Sequence, residues 1–333
     1  MTGVRLVQLA RGTERFVAAV EEPRLVLLSG IRSVYDLVAR AGGTSIGAVV
    51  AGSASAERLQ YDDVYEGRSE YRLLPCIDHP ESAWRTMVSG TGLTHLASVK
   101  RRDAMHAAIQ QETDSMRMYR WGVEGGKPAL GAAGTAPEWF YKGNGRILRG
   151  HGEALQVPAF AEDGGEEPEI AGVYIVDAEG VPRRVGLTTG NEFSDHRFEK
   201  RNYLYLAHSK LRTCAIGPEL VVDAGFENVP GEVRVERAGS AIWRSAIRSG
   251  EANMCHSLAN MEHHHFKYEQ HRVPGDVHVH FFGADAFSFG DDVELQDGDV
   301  MQVAFEGFGR ALRNPVRRAE GPEVFWGARP VAL

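Results

Sequence analysis

EEPEIAGVYIV (166–176) and GLTTGNEFSDH (186–196) decide how this chain of 333 residues is read. The run Ile170 to Val176 is rich in β-branched residues and predicts a strand. Residues i and i+2 of a strand share a face, so Glu167 and Glu169 project together. Two adjacent carboxylates repel and are costly beside a core unless a cation lies between them. A third acid, Glu192, stands in a Gly-Asn-Glu turn (190–192) after a second apolar strand candidate. With no nearby Cys or neutral His, three carboxylates describe a hard, oxygen-liganded site suited to Mg²⁺, Mn²⁺ or Ca²⁺ rather than zinc. The alternative is a solvated acidic loop, because residues 162–169 (EDGGEEPE) are acidic throughout.

Composition narrows the function classes. The hydrophobic fraction of 43% is that of an ordinary globule, and 333 residues suffice for one large domain plus a small one. A net charge of −8, with no basic block, argues against a nucleic-acid surface. Cys76, Cys214 and Cys255 are widely spaced with no CxxC pair, which suits a reducing cytoplasm. No signal-peptide layout or membrane-spanning apolar run is expected, so no membrane partner is either.

Along the chain, VRLVQLA, RFVAAVE and RLVLLSG within residues 1–30 predict short strands. Ser33 is placed to cap a helix from Val34 to Arg40 that Gly42-Gly43 ends, and a second helical pattern covers 45–60. YRLLPCIDHP (71–80) reads as a linker, giving a small N-terminal α/β domain over 1–80 with no site of its own. TMVSGTGLTHL (86–96) reads as a strand entering a glycine turn, 96–121 as a polar helix, and the glycines of 122–136 as a flexible tether. Helix and tether together read as a lid over 96–134 or as a surface helix with its loop. ELVVDAGF (219–226) and EVRVERAG (232–239) alternate like strands, 241–271 reads as one or two helices, and 276–289 and 299–316 return to strands.

Two further groups carry chemistry. His263, His264, His265, His271, His278 and His280 crowd the C-terminal part, but no acid or Cys completes a ligand spacing, so structural or interface histidines are the better reading. Lys210 sits in an otherwise apolar segment, where burial and a neighbouring divalent cation would both lower its pKa and fit it for proton transfer. Lys142, flanked by Trp139, Phe140 and Tyr141, either reaches a carboxylate or caps an aromatic strand.

PEWFYK (137–142), GHGEA (150–154), Glu167-Pro168-Glu169, the Asn191-Glu192-Phe193-Ser194 turn and NYLYLAHSK (202–210) occur in one order and spacing. In this the chain resembles the fumarylacetoacetate hydrolase superfamily, and within it the 2-keto-3-deoxy-D-arabinonate dehydratases, over roughly residues 87–310. The resemblance implies an α+β fold: a β-rich, mixed-sheet catalytic domain over 81–333 beside the small N-terminal α/β domain, assembled as a homodimer or homotetramer. It implies Glu167, Glu169 and Glu192 as metal ligands, Lys210, Lys142 and His95 as catalytic groups, and Thr94, Ser194, His196 and Gly283 at the substrate. His196 and Glu199 fall where the superfamily carries an Arg and a polar residue.

Three positions depart from the pattern. Thr94 and His95 replace a Gly-Leu-Asn-Tyr-like turn, Glu192 replaces an Asp, and Phe282-Gly283-Ala284 replaces Thr-Gly-Thr. The implied reaction is Mg²⁺-dependent dehydration of a 2-keto-3-deoxy sugar acid of pentonate type, in non-phosphorylative sugar catabolism, through an enolate that the cation stabilises. The alternatives are C3–C4 hydrolysis of a 2,4-diketo acid to pyruvate and a smaller acid, and a sugar-acid-binding protein without turnover.

Overall fold

Short strands separated by glycine turns open the chain: β1 (Arg5–Arg11), β2 (Glu14–Glu21) and β3 (Arg24–Leu28) form an antiparallel meander. The computed structural model describes residues 3–96, 113–320 and 332. Helix α1 (Val34–Ala41) begins as expected at Ser33, whose Oγ accepts from the Asp36 amide at 3.0 Å, and ends at Gly42 in the left-handed region. Such a cap is worth about 1 kcal/mol. Helix α2 (Ile46–Ser53) covers only half of the stretch expected to be helical. The rest is β4 (Ala54–Gln60), because the ladder offered by β3 outweighs the local helix preference of Ala-Glu-Arg-Leu.

After α3 (Tyr61–Tyr65) and β5 (Arg72–Leu73), the chain continues through β6 (Thr86–Gly92), α4 (Asp114–Gly125) and β7 (Glu138–Asn144). The short β8 (Leu148–Arg149) and β9 (Leu155–Val157) lead to the hairpin of β10 (Pro168–Val176) and β11 (Pro182–Asn191). Helices α5 (His196–Arg201) and α6 (Leu206–Ser209) precede β12 (Cys214–Val221), β13 (Val229–Arg237) and β14 (Ser240–Ser249). Helix α7 (Leu258–Phe266), β15 (Val277–Phe281), β16 (Val300–Phe305) and β17 (Leu312–Arg318) complete the described elements.

Two sheets result. The larger, mixed sheet has the order β4-β3-β2-β1-β12-β11-β10-β15-β6-β7, with β5 and β8 attached at β1 and β12. The smaller has the order β14-β13-β16-β17-β9. Strand β10 is buried along its whole length, as its run of β-branched residues requires. Its Ala171, Val173 and Ile175 pack in one core with Val88, Ile216 and Phe281, while Ile170 turns to a second core with Val233, Val303 and Phe282.

The stretch 241–249, expected to be helical, is instead strand β14, antiparallel to β13. Its Ala and Arg residues favour helix, but β13 offers a full ladder and Trp243 and Ile247 pack toward the second core. Only α7 bears out the helix expected within 241–271. Residues 71–80 are not a free linker: Cys76 and Ile77 are buried, and Gln8 donates to the Pro75 carbonyl and to Asp78. The sheet also runs across residue 80, since β1 pairs with β12 at Arg5↔Val221 and Leu6↔Leu220. The first 80 residues thus keep one core of their own, around Leu9, Leu25 and Tyr61, and share the other face with the rest of the chain.

Of the stretch 96–134 read as a lid, residues 97–112 lie outside the described residues. The glycine-rich tether that follows α4 is fastened rather than loose. Asn260 accepts from the Gly134 amide and donates to the Thr135 carbonyl, and Gly126 accepts from the Ser257 amide. No helix among the described residues is long and apolar enough to cross a membrane.

Candidate metal centre and its lysines

The β10–β11 hairpin builds the acidic site by register. Pro168 opens β10 opposite Asn191, and Glu169 stands opposite Gly190. Pro168 lacks an N–H, which is tolerated at the first position of a strand. Just beyond the ladder the Glu192 amide donates to the Glu167 carbonyl at 2.9 Å, bringing the third acid back over the first two. One carboxylate oxygen from each of Glu167, Glu169 and Glu192 lies within 4.8 Å of the others. Glu169 and Glu192 are fully buried, and the Glu167 side chain is 12% exposed. The solvated-loop alternative therefore fails.

Two lysines enter the same pocket. On β7 the alternation turns Glu138, Phe140 and Lys142 inward and Trp139 and Tyr141 outward. Lys142 Nζ lies 2.5 Å from Glu192 Oε1 and donates to the Phe193 and Lys210 carbonyls at 2.7 and 3.0 Å. These are as many partners as an ammonium has protons. Lys210 Nζ donates to Glu167 Oε1 at 2.6 Å and Glu192 Oε2 at 2.8 Å, above the Phe140 ring.

Three carboxylates thus face two ammonium groups, and the imbalance falls on Glu169. Among the described residues it accepts from the Gly283 amide at 2.6 Å, and burial together with repulsion from Glu192 and Glu167 pushes its carboxyl well above the usual range. Burial also raises Glu192, against the pull of Lys142 and Lys210. For Glu167 burial acts upward, but Lys210 and His196 overcome it and hold the carboxyl well below the usual range. Lys210 departs from expectation. Burial does press its ammonium downward, but Glu167 and Glu192 are its immediate neighbours and raise it well above the ordinary lysine value.

A hard divalent cation fits this donor set. Its ligands would be oxygens only, and it would supply the positive charge that Glu169 lacks. Among the described residues this is the one His, Cys, Asp or Glu cluster with such geometry.

The other expected site residues mostly support the ligands. His196 Nε2 is 3.0 Å from Glu167 Oε1, and its ring stacks on Phe287. Burial presses its pKa down, but Glu167 raises it above the ordinary value. The Ser194 hydroxyl lies 3.0 Å from Glu192 Oε2 and 3.1 Å from the Glu192 carbonyl. Gly283 has φ +95°, and a Cβ there would overlap the Thr94 hydroxyl. His95 is buried between Thr94 and Ser249, and burial pushes its pKa down to about 3.

Glu138 was missed, although PE-aromatic-aromatic-K already places it on the strand face of Lys142. It is buried, and Gly92 makes room for it, since a Cβ at 92 would overlap Glu138 Oε2. Also missed were Glu166, which accepts from the Ser288 amide and hydroxyl at 2.6 and 2.9 Å, and the buried Arg212–Asp195 pair at 3.0 Å. Both brace the loops around the triad, and no spacing in the sequence marks their distant partners.

Of the C-terminal histidines, His265, His278 and His280 form a separate buried cluster, while His263 is exposed. Trp139 Nε1 donates to His265 Nδ1 at 3.1 Å, so His265 Nε2 carries the proton and donates to His278 Nδ1 at 2.9 Å. His280 lies between the hydroxyls of Ser89 and Thr91 at 2.8 and 2.7 Å. Burial lowers His278 and His280 to about 3, and lowers His265 well below the ordinary value. These rings are structural and neutral.

No family model matches the chain. A curated relative, a probable 2-keto-3-deoxyxylonate dehydratase of Haloferax volcanii, is 29% identical over 187 residues; the match spans 54% of this chain and 60% of that protein's length. A hexagonal crystal form of 2-keto-3-deoxyarabinonate dehydratase superposes with a TM-score of 0.72 at 20% identity, over 95% of this chain and all of that one. The 2-keto-3-deoxy-D-arabinonate dehydratase complexed with magnesium and 2,5-dioxopentanoate gives 0.70 at 19% identity, over 95% and 100%. The 5-carboxymethyl-2-hydroxymuconate delta-isomerase of Mycobacterium smegmatis gives 0.59 at 19%, with the same coverage. The chain therefore has the β-rich, fumarylacetoacetate hydrolase-like fold that its sequence resembles.

Proposed function

We propose that this chain is a divalent-metal-dependent dehydratase of a 2-keto-3-deoxy sugar acid of pentonate type. The observation that carries the reading is the buried triad Glu167, Glu169 and Glu192, with Lys210 Nζ 2.6 and 2.8 Å from two of its members. The similarity to a probable 2-keto-3-deoxyxylonate dehydratase, and the fold shared with a 2-keto-3-deoxy-D-arabinonate dehydratase complexed with magnesium, support the same class. Mg²⁺ is the proposed ion, with Mn²⁺ or Ca²⁺ as substitutes.

When bound, the cation would polarise the 2-keto oxygen and stabilise the charge that develops as a C3 proton leaves. The residues of the chain do the rest. Lys142 neutralises Glu192 and ties the 193 and 210 loops together, so the ligands keep their spacing without substrate. Lys210 presents its ammonium between Glu167 and Glu192, and Glu138 adds a further buried carboxyl on the inward face of β7. Between them, an acid and a base are at hand for taking the C3 proton and protonating the departing C4 hydroxyl. Phe140 forms an apolar wall under Lys210 and excludes water from that side.

The test is turnover of 2-keto-3-deoxy pentonates and 2,4-diketo acids with Mg²⁺ or Mn²⁺, followed by product identification. A semialdehyde product is expected. Pyruvate would select the C–C hydrolase instead, and binding without turnover a sugar-acid-binding protein.

A further inference from the structure

His95 is doubly tied at the junction of the two sheets. The Thr94 hydroxyl has one proton and donates it to the Phe282 carbonyl at 2.6 Å, so its oxygen accepts from His95 Nδ1–H at 2.9 Å. The neutral imidazole then offers the Nε2 lone pair to the hydroxyl of Ser249 at 3.2 Å, where β14 of the smaller sheet ends. The Thr94 carbonyl also accepts from the Cys255 amide at 2.8 Å, fixing this turn from a second side. Phe282 and Gly283 follow β15 of the larger sheet, and the Gly283 amide is the donor to Glu169. Hydrogen bonds therefore run without a break from Ser249 through His95 and Thr94 to the peptide whose N–H holds the least compensated carboxylate.

We propose that His95 is a positioning residue, which fixes Thr94 and through it the Gly283 amide, and so sets Glu169 for the cation. The proposal rests on the reading of the triad as a metal site. It moves His95 from proton transfer to support: its Nδ1 is bonded to Thr94 and its Nε2 to Ser249. The Thr94–Gly283 contact is close enough that only glycine fits at 283, so a displaced Thr94 displaces that peptide.

The experiment compares H95L, H95N and T94V with the full wild-type chain by amide hydrogen exchange at Gly283 and by calorimetric titration with Mn²⁺. H95N keeps an N–H near the Nδ1 position, whereas H95L and T94V each cut the chain of hydrogen bonds. Expected is loss of Gly283 protection by about tenfold or more in H95L and T94V, with near-normal protection in H95N. Mn²⁺ affinity should fall about 10- to 100-fold in the first two variants, the scale for losing a partner that orients a ligand. Their effects should be non-additive in the double variant.

Unchanged Gly283 protection in folded H95L overturns the proposal, and T94V asks the same question should H95L fail to fold. Loss of turnover in H95N with Mn²⁺ affinity and Gly283 exchange intact also overturns it, by returning His95 to proton transfer. A wild-type chain that takes up no Mn²⁺ sinks the metal-site reading, while the Gly283 exchange pattern still decides whether His95 holds that peptide.

Discussion

The carboxylate pocket and the histidine cluster lie on neighbouring strands and bury ionisable groups in opposite ways. Around His265, His278 and His280 every charge is suppressed: hydroxyls, an indole and other imidazoles supply partners, and burial keeps the rings neutral. Around Glu169 three carboxyls crowd two lysines, and burial with repulsion from Glu192 and Glu167 presses Glu169 toward its neutral form, so its ionised form awaits a further cation. A neutral cluster is complete in itself and stabilises the fold. An unbalanced one costs stability and is complete only with a further positive charge.

The strongest test of that contrast removes the cation or its least compensated ligand. Chelation should abolish turnover, and E169Q should weaken Mn²⁺ binding more than the 10- to 100-fold typical of a mere orienting partner. The same substitution should raise the melting temperature of the chelated protein, because a carboxyl pushed above its unfolded value costs stability near neutral pH and glutamine does not. Full activity in EDTA would return the triad to the status of a structural acid cluster.

Next in size is Lys210. K210M should lower turnover by about 10²–10⁴, the scale for losing a general acid–base group, and K210R should not restore it, since a planar guanidinium does not fit where a compact ammonium sits between Glu167 and Glu192. Single-turnover kinetics and solvent exchange at the substrate C3 would show whether proton transfer is the step lost.

Lys142 should behave differently, as part of the frame. K142M leaves Glu192 buried with one cation fewer, and breaking a buried pair in this way costs about 3–5 kcal/mol. Denaturant titration of the chelated protein should register that loss. A cost below about 1 kcal/mol, the surface-pair scale, would mean the pocket tolerates open charge more freely than its burial implies.

The smallest effect per group belongs to the histidines. Their folded pKa values lie below the ordinary 6.5, so the unfolded chain binds more protons and stability falls as pH drops below about 6.5. Each buried ring can contribute up to about 1.4 kcal/mol per pH unit between that value and its folded pKa. Urea titrations of the chelated protein at pH 7 and 5.5 should show the slope. Substituting His263, which is exposed on α7, should leave it unchanged.

Much of the carboxylate site was legible in the sequence because it is local. Glu167, Pro168 and Glu169 lie at the start of one strand, and a short hairpin returns Glu192 to them. PEWFYK likewise carries its strand alternation openly, and Glu138 could have been read from it. The crowding of the histidines was legible but their partners were not, because Ser89, Thr91 and Trp139 are more than 100 residues away and follow no spacing rule. Strand β14 was misread for the same reason: its Ala and Arg residues favour helix, and only its pairing with β13 decides otherwise. The continuity of the sheet across residue 80 rests on two register pairs between residues 5–6 and 220–221, which no local pattern announces.

Strand β7 ends the larger sheet, and among the described residues it is paired along one side only. Its side chains hold it further: Trp139 by its bond to His265, and the Lys142 ammonium by two carbonyls and Glu192. An edge strand held in this way carries its own clock. An amine-acylating reagent can modify Lys142 only when β7 lifts away, whereas the surface lysines react at once. The lag between the two labelling rates would measure how often the wall of the pocket opens, and bound cation should lengthen it.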